Sequence, residues 1–274
     1  MSARLATTVL LVRGGPDGSP LSAGLEVFMV QRHRRSGFLP NAWVFPGGRV
    51  DAADHELGAP VLTGGDALLP QLGGGRDATA YAVAGVRETW EEVGVWLGDG
   101  APPAALRGQV ARGEMPLKEA LPADARIDLD RLSAWSWWVT PKAEPKRYDT
   151  RFLITDGSGA DGRHDDHETV DSRWVRPADA LAQGVSAFPL APPTWWTLIE
   201  LARLKTAAAA LDAAKGRTLR PIQPIMTFSD AGIDLALPGH PTHPESSHEA
   251  LPHRIIWEDG AWVGSRDGVR ISAP

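Results

Sequence analysis

Apolar and polar positions alternate along the chain in blocks that divide it into short elements. Residues 5–12 (LATTVLLV) form a nearly continuous apolar run, the pattern of a buried strand. Residues 13–24 form a Gly/Pro loop, and residues 26–32 make a second strand, the hairpin partner of the first. A short apolar piece at 43–45 leads into Pro46-Gly47-Gly48, and residues 55–79 are Gly-rich and weakly patterned. Residues 80–93 have helical periodicity, with Gly94 as the stop. After the prolines at 102 and 103 comes a short amphipathic stretch near 104–120, then strands at 137–140, 148–155 and 169–175. Pro177 opens a short helix ending near Gly184. Residues 193–215, Ala-rich and followed by Gly216, read as the longest helix, in which Trp196, Ile199 and Arg203 share one packed face. Strands at 254–258 and 261–264 flank an Asp259-Gly260 hairpin turn. There is no internal repeat. Residues 189–193 mark the boundary between an α/β body and a C-terminal extension.

Composition narrows the chemistry. Of 274 residues, 43% are hydrophobic, enough for a sizeable core, while 29 Gly and 23 Pro exclude a helical bundle. The absence of cysteine excludes disulfides, thiolate zinc, iron–sulfur clusters and a cysteine nucleophile, so any metal must sit on oxygen or imidazole. A net charge of −6 argues against a nucleic-acid or anionic-membrane partner. No apolar run approaches the roughly 18 residues of a membrane span. The N-terminal MSARLATTVLLVR lacks the layout of a signal peptide, and ISAP is no targeting tag, so a cytoplasmic protein is expected.

The chemical centre is Arg87-Glu88-Thr89-Trp90-Glu91-Glu92-Val93-Gly94-Val95. On a helix Glu88, Glu91 and Glu92 stand at i, i+3 and i+4, which puts three carboxylates on one face. Their repulsion is relieved if a hard divalent cation such as Mg²⁺ sits among them. A solvated acidic face is the plainer alternative. Arg87 can pair with Glu91 one turn on, and upstream Phe45-Pro46-Gly47-Gly48 makes a turn that allows close backbone approach.

These residues resemble the Nudix box, G-x5-E-x7-R-E-U-x-E-E-x-G-U, where U is bulky and apolar. Gly48 matches the opening glycine, and Arg87, Glu88, Glu91, Glu92, Gly94 and Val95 match the second half. Asp54 stands in place of the first Glu, and Thr89 in place of the first U. Between Asp54 and Arg87 lie 32 residues instead of seven, an insertion of 25. The relatives of the mammalian peroxisomal coenzyme A diphosphatase carry an insertion at this point. The chain is similar to them in Val30-Gln31-Arg32, in residues 37–40 and 44–54, in Trp138-Val139-Thr140-Pro141, in residues 147–152, and in Pro221-Ile222-Gln223-Pro224 and Leu237-Pro238-Gly239. A bacterial coenzyme A signature matches at Arg32, residues 45–48 and Asp51 but departs at His33, Gly37 and Asn41, so coenzyme A specificity rests on the subfamily likeness.

The resemblance implies an α/β fold, the Nudix α/β/α sandwich with a mixed curved sheet. A Nudix domain would span 4–190, with the insertion at about 55–79, and a C-terminal helix and hairpin at 191–274 would pack on the same body. It implies Mg²⁺ or Mn²⁺ held by Glu91 and Glu92, with Glu88 a further ligand or the catalytic base, a Gly48 carbonyl near the metal, and Arg87 orienting Glu91. Asp54 is either a water-mediated ligand or structural. Glu168, before a late strand, is a second base candidate. Arg32 and Arg151 are the expected substrate contacts, from basic runs that also contain His33, Arg34, Arg35, Lys142, Lys146 and Arg147. The implied reaction is hydrolysis of coenzyme A or acyl-coenzyme A. Alternatives are other nucleoside-diphosphate substrates (ADP-ribose, NADH, nucleotide sugars) and a non-catalytic nucleotide sensor. The insertion is expected either to shape a substrate pocket or to be a surface excursion, and a homodimer is a further expectation. His240, His243, His248 and His253 are read as loop residues, and Trp135, Trp137, Trp138, Trp195 and Trp196 as packing residues.

Overall fold

The computed structural model describes residues 2–16, 19–37, 39–164, 169–229, 232–246 and 251–271. Along the chain β1 (Arg4–Arg13), β2 (Glu26–Arg32), β3 (Trp43–Val44), β4 (Gly47–Arg49) and β5 (Leu62–Thr63) precede α1 (Leu68–Gln71) and α2 (Gly75–Val93). Two short helices follow, α3 (Arg107–Ala111) and α4 (Leu117–Ala120), then β6 (Ile127–Asp128), β7 (Ser133–Val139), β8 (Tyr148–Asp156) and β9 (Thr169–Val175). The C-terminal part holds α5 (Pro177–Ala182), α6 (Gly184–Ala187), α7 (Pro192–Leu204) and α8 (Ala207–Ala214). It ends in β10 (Pro221–Ile222), β11 (Ile225–Ser229), β12 (Gly232–Ala236), β13 (Arg254–Glu258), β14 (Ala261–Arg266) and β15 (Val269–Ile271).

The main sheet runs β10-β7-β8-β1-β2-β3, with β4 also on β1 and β9 also on β2. It is mixed: β1 is parallel to β8 and β10 to β7, while β1–β2, β1–β4, β2–β9 and β7–β8 are antiparallel. Alternate residues of β1 face opposite layers. Val9 and Leu11 pack with Ala78, Tyr81, Ala82 and Val86 of α2, whereas Leu10 and Val12 pack with Trp196, Leu198 and Ile199 of α7 and with α8. Helices thus cover both faces of the sheet, the α/β/α layering expected.

The expected 193–215 helix is two helices. Lys205 takes a left-handed conformation (φ 64°), and the Thr206 side chain caps α8 by accepting from the Ala209 N–H. An Ala-rich run has no periodicity sharp enough to reveal such a break. The longest helix is instead α2, with 19 residues, which begins at Gly75 and so draws its first turn from the insertion. The insertion is built into the core. Leu68 and Leu72 are buried with α2, Leu57 packs with Trp90, β5 pairs with β6, and Gln71 bonds to the Arg217 carbonyl and the Ala134 N–H. The Asp259-Gly260 turn has both residues at positive φ, as expected for its hairpin (φ 51° and 76°). That hairpin belongs to a five-stranded antiparallel sheet, β11-β12-β13-β14-β15, whose other strands the pattern did not mark.

Candidate active site

Helix α2 lies across β1 and β4 and presents the acidic triple there. Strand β4 pairs with β1 through Thr7↔Gly48 and Thr8↔Gly47, and the fit depends on glycine at both positions. A Cβ on Gly47, whose φ is +153°, would fall 2.2 Å from the Thr7 carbonyl oxygen. A Cβ on Gly48 would fall 2.4 Å from the Glu88 carboxylate. The Gly47 N–H donates to Glu92 Oε2 at 2.9 Å, tying the last turn of the helix to the glycine turn.

Arg87 is the hub. It is 6% exposed and grips Asp54 with a two-pronged hydrogen bond, Nε to Oδ1 at 2.8 Å and Nη2 to Oδ2 at 2.9 Å. Nη2 also donates to the Arg49 carbonyl at 2.8 Å, and Nη1 donates to Glu88 Oε1 and Glu91 Oε2, both at 3.0 Å. Burial opposes its charge, but the Asp54 hydrogen bond and the charges of Glu88, Asp54 and Glu91 outweigh it and raise its pKa further. Asp54 is itself 1% exposed, and its Oδ2 accepts the Asp51 N–H across a 3₁₀ turn. Asp54 is therefore fully engaged in structure. Burial pushes the Glu91 carboxyl up to about 6, with Arg87 offsetting part of the rise, and Glu91 Oε1 is buried with no hydrogen-bond partner.

Other expected residues are placed as follows. Arg32 ends β2, half-buried, and donates to Ser36 Oγ through Nε and Nη2. Arg151 is 5% exposed, pairs with Asp149 and is sandwiched between rings, its guanidinium carbon 3.5 Å from the Trp137 centroid and 4.4 Å from that of Tyr81. The aromatic pair and Asp149 hold the Arg151 guanidinium, while its Nε is buried without a hydrogen-bond partner. The two basic runs meet where Lys146 Nζ donates to the Gly37 carbonyl. Glu168 and His248 lie outside the described residues. The rings of His240, His243 and His253 face Thr242 Oγ1, the Gln223 carbonyl and Asp267. Among the described residues no three His, Asp or Glu side chains already form a metal cluster, since Glu88, Glu91 and Glu92 are turned toward Arg87 and Gly47.

Sequence reasoning missed Arg107. From α3 its Nε donates to the Glu91 carbonyl at 2.7 Å, and its Nη2 donates to the Arg163 carbonyl at 3.3 Å. It thereby supplies a donor and a positive charge to the last turn of α2. Nothing in its sequence context signals this.

No family model matches the chain. It is similar to a crystal structure of a Nudix hydrolase from Alicyclobacillus acidocaldarius, 28% identical, with a TM-score of 0.63, covering 77% of this chain and 96% of that one. The chain resembles the Nudix hydrolases in fold and in sequence. Among curated proteins it is similar to the acyl-coenzyme A diphosphatase NUDT19 of Gallus gallus, 29% identical over 88% of this chain and 80% of that one. The Homo sapiens protein of the same name is 26% identical over 85% of this chain and 76% of that one. In this chain the insertion leaves the two halves of the resembled box together in space. These halves, 32 residues apart in sequence, meet through the Arg87–Asp54 pair. No helix among the described residues is long and apolar enough to cross a membrane.

Proposed function

We propose that the protein is a divalent-metal-dependent diphosphatase of coenzyme A or acyl-coenzyme A, releasing 3′,5′-ADP and (acyl-)4′-phosphopantetheine. The observation that carries the reading is Glu91. Its Oε1 is buried without a partner beside two further carboxylates and a glycine turn, a donor set of oxygens that suits Mg²⁺ or Mn²⁺. Glu91 and Glu92 would hold the ion, with Glu88 and the Gly48 carbonyl beside it. A bound divalent ion neutralises diphosphate charge and lowers the pKa of water.

The chain's own residues supply the rest. Arg87 fixes the Glu88 and Glu91 carboxylates by donating to one oxygen of each, and Glu91 Oε1 is left for ligation. Gly47 holds Glu92 by its N–H. Arg32, at the end of β2, is the candidate contact for substrate phosphate, and Glu168 a second candidate base. The likeness to acyl-coenzyme A diphosphatases over most of the chain supports the substrate class.

The test is incubation with Mg²⁺ or Mn²⁺ and a panel of coenzyme A, acyl-coenzyme A esters, ADP-ribose, NADH and nucleotide sugars, with products identified by mass. Release of 3′,5′-ADP from coenzyme A at the highest kcat/KM is expected. Preference for ADP-ribose, or no turnover at all, would overturn the reading.

A further inference from the structure

On the face of the sheet opposite the acidic helix, α7, Arg217 beyond the end of α8, Leu251 and the β14–β15 hairpin line an open cleft of about 590 Å³. Its volume lies within the range of small-molecule sites. Helix α7 turns one stripe toward it, Trp196, Glu200 and Arg203, at i, i+4 and i+7. Leu204, Leu251, Val269 and Ile271 add an apolar wall, on which Val269 is 69% exposed.

Charge is unevenly committed in the cleft. Three arginines (203, 217 and 266) face two carboxylates, Glu200 and Asp267, an excess of one positive charge. Glu200 is held by Arg217 at 3.6 Å and by Trp135 Nε1 at 3.2 Å, and Asp267 lies 3.2 Å from His253. Arg203 makes no ion pair among the described residues; its guanidinium carbon lies 5.4 Å from the ring of Trp196. Trp196 is 1% exposed, and its Nε1 is buried with no hydrogen-bond partner. A buried, unpaired indole donor is costly unless something supplies an acceptor.

We propose that this cleft is a second binding site, separate from the acidic helix, for an amphiphilic monoanion of the fatty-carboxylate class. The guanidinium of Arg203, which feels the Glu200 charge but makes no ion pair among the described residues, suits one planar carboxylate in a two-pronged hydrogen bond. The wall of Leu204, Leu251, Val269 and Ile271 takes the apolar chain, which covers the exposed Val269.

The test uses the full chain without added metal. Laurate is titrated below its micellar concentration, following tryptophan fluorescence and heat. Saturable binding of one laurate per chain is expected, with dodecanol and dodecyltrimethylammonium much weaker. Arg203→Gln, at an exposed helix position, keeps the fold by circular dichroism and weakens laurate by about tenfold or more, the loss of a charge-assisted contact. AMP with Mg²⁺ does not displace laurate. Absence of saturable binding, equal affinity for dodecanol, unchanged affinity in Arg203→Gln, or displacement by AMP with Mg²⁺ would each overturn the proposal.

Discussion

Arg87 and Asp54, 33 positions apart, form a buried two-pronged ion pair that closes the 25-residue insertion onto the acidic helix. Without Asp54 the buried Arg87 loses its two-pronged partner and keeps only Glu88, Glu91 and the Arg49 carbonyl. Asp54→Asn should therefore cost about 3–5 kcal/mol, the range for breaking a buried pair. Asp54→Glu restores the residue of the Nudix pattern, yet it too should destabilise, by about 1–3 kcal/mol. Its extra methylene has no room at a 1% exposed site whose Oδ2 also accepts the Asp51 N–H. Urea denaturation midpoints check both; a stabilised Asp54→Glu variant would refute this account of the shorter side chain.

Adjacent glycines should fail in different ways. A Cβ at Gly47 meets the Thr7 backbone, which cannot move aside, at a φ that side chains rarely adopt. Gly47→Ala is thus expected to lower Tm and to cost on the order of 2–3 kcal/mol. A Cβ at Gly48 meets only the flexible end of Glu88. Gly48→Ala should keep Tm within a few degrees and lower kcat by displacing that carboxylate. Calorimetry and turnover measured on the same preparations separate the two outcomes.

Glu91→Gln and Glu92→Gln keep the shape and much of the hydrogen bonding of each side chain but remove its charge. Turnover should fall by roughly two orders of magnitude or more, the scale of losing a transition-state charge contact, with circular dichroism unchanged. Near wild-type activity in both would refute their assignment as ligands.

Burial raises the Glu200 carboxyl above the ordinary Glu value of 4.5, and Arg217 and Trp135 offset only part of it. A carboxyl whose folded pKa is raised favours the folded state while it is protonated. Its contribution is therefore largest below about pH 4.5 and declines as pH rises toward the folded pKa. Glu200→Gln should gain stability relative to wild type as pH rises above that value. Denaturation of both proteins between pH 4 and 8 tests the sign, and a difference independent of pH would disprove it.

The insertion is a structural wall and not a surface excursion. Deleting 56–79 removes Leu57, Leu68 and Leu72 from two buried clusters together with the start of α2. Loss of cooperative unfolding is expected instead of a change in KM alone. Gln71→Ala is the milder probe. It leaves the Ala134 N–H and the Arg217 carbonyl without their partner and should cost about 1–3 kcal/mol. A variant lacking 56–79 that still melts cooperatively near the wild-type temperature would return the insertion to the surface.

The strands 26–32 and 169–175 and the Asp259-Gly260 turn were legible because burial and turn chemistry act locally, residue by residue. The spacing of Glu88, Glu91 and Glu92 was legible because 3.6 residues per turn fixes a face. Four features were not. These are the break at Lys205, the entry of the insertion into α2, the enclosure of Arg151 between Tyr81 and Trp137, and the anchoring of Glu91 by Arg107. Each depends on groups far apart in the chain. By itself the amino-acid order determined which carboxylates share a helix face and which glycines precede them. Only the tertiary structure decided which cations stand opposite those carboxylates, because charge pairing is set by distance in space, and sheet register, not sequence separation, sets that distance.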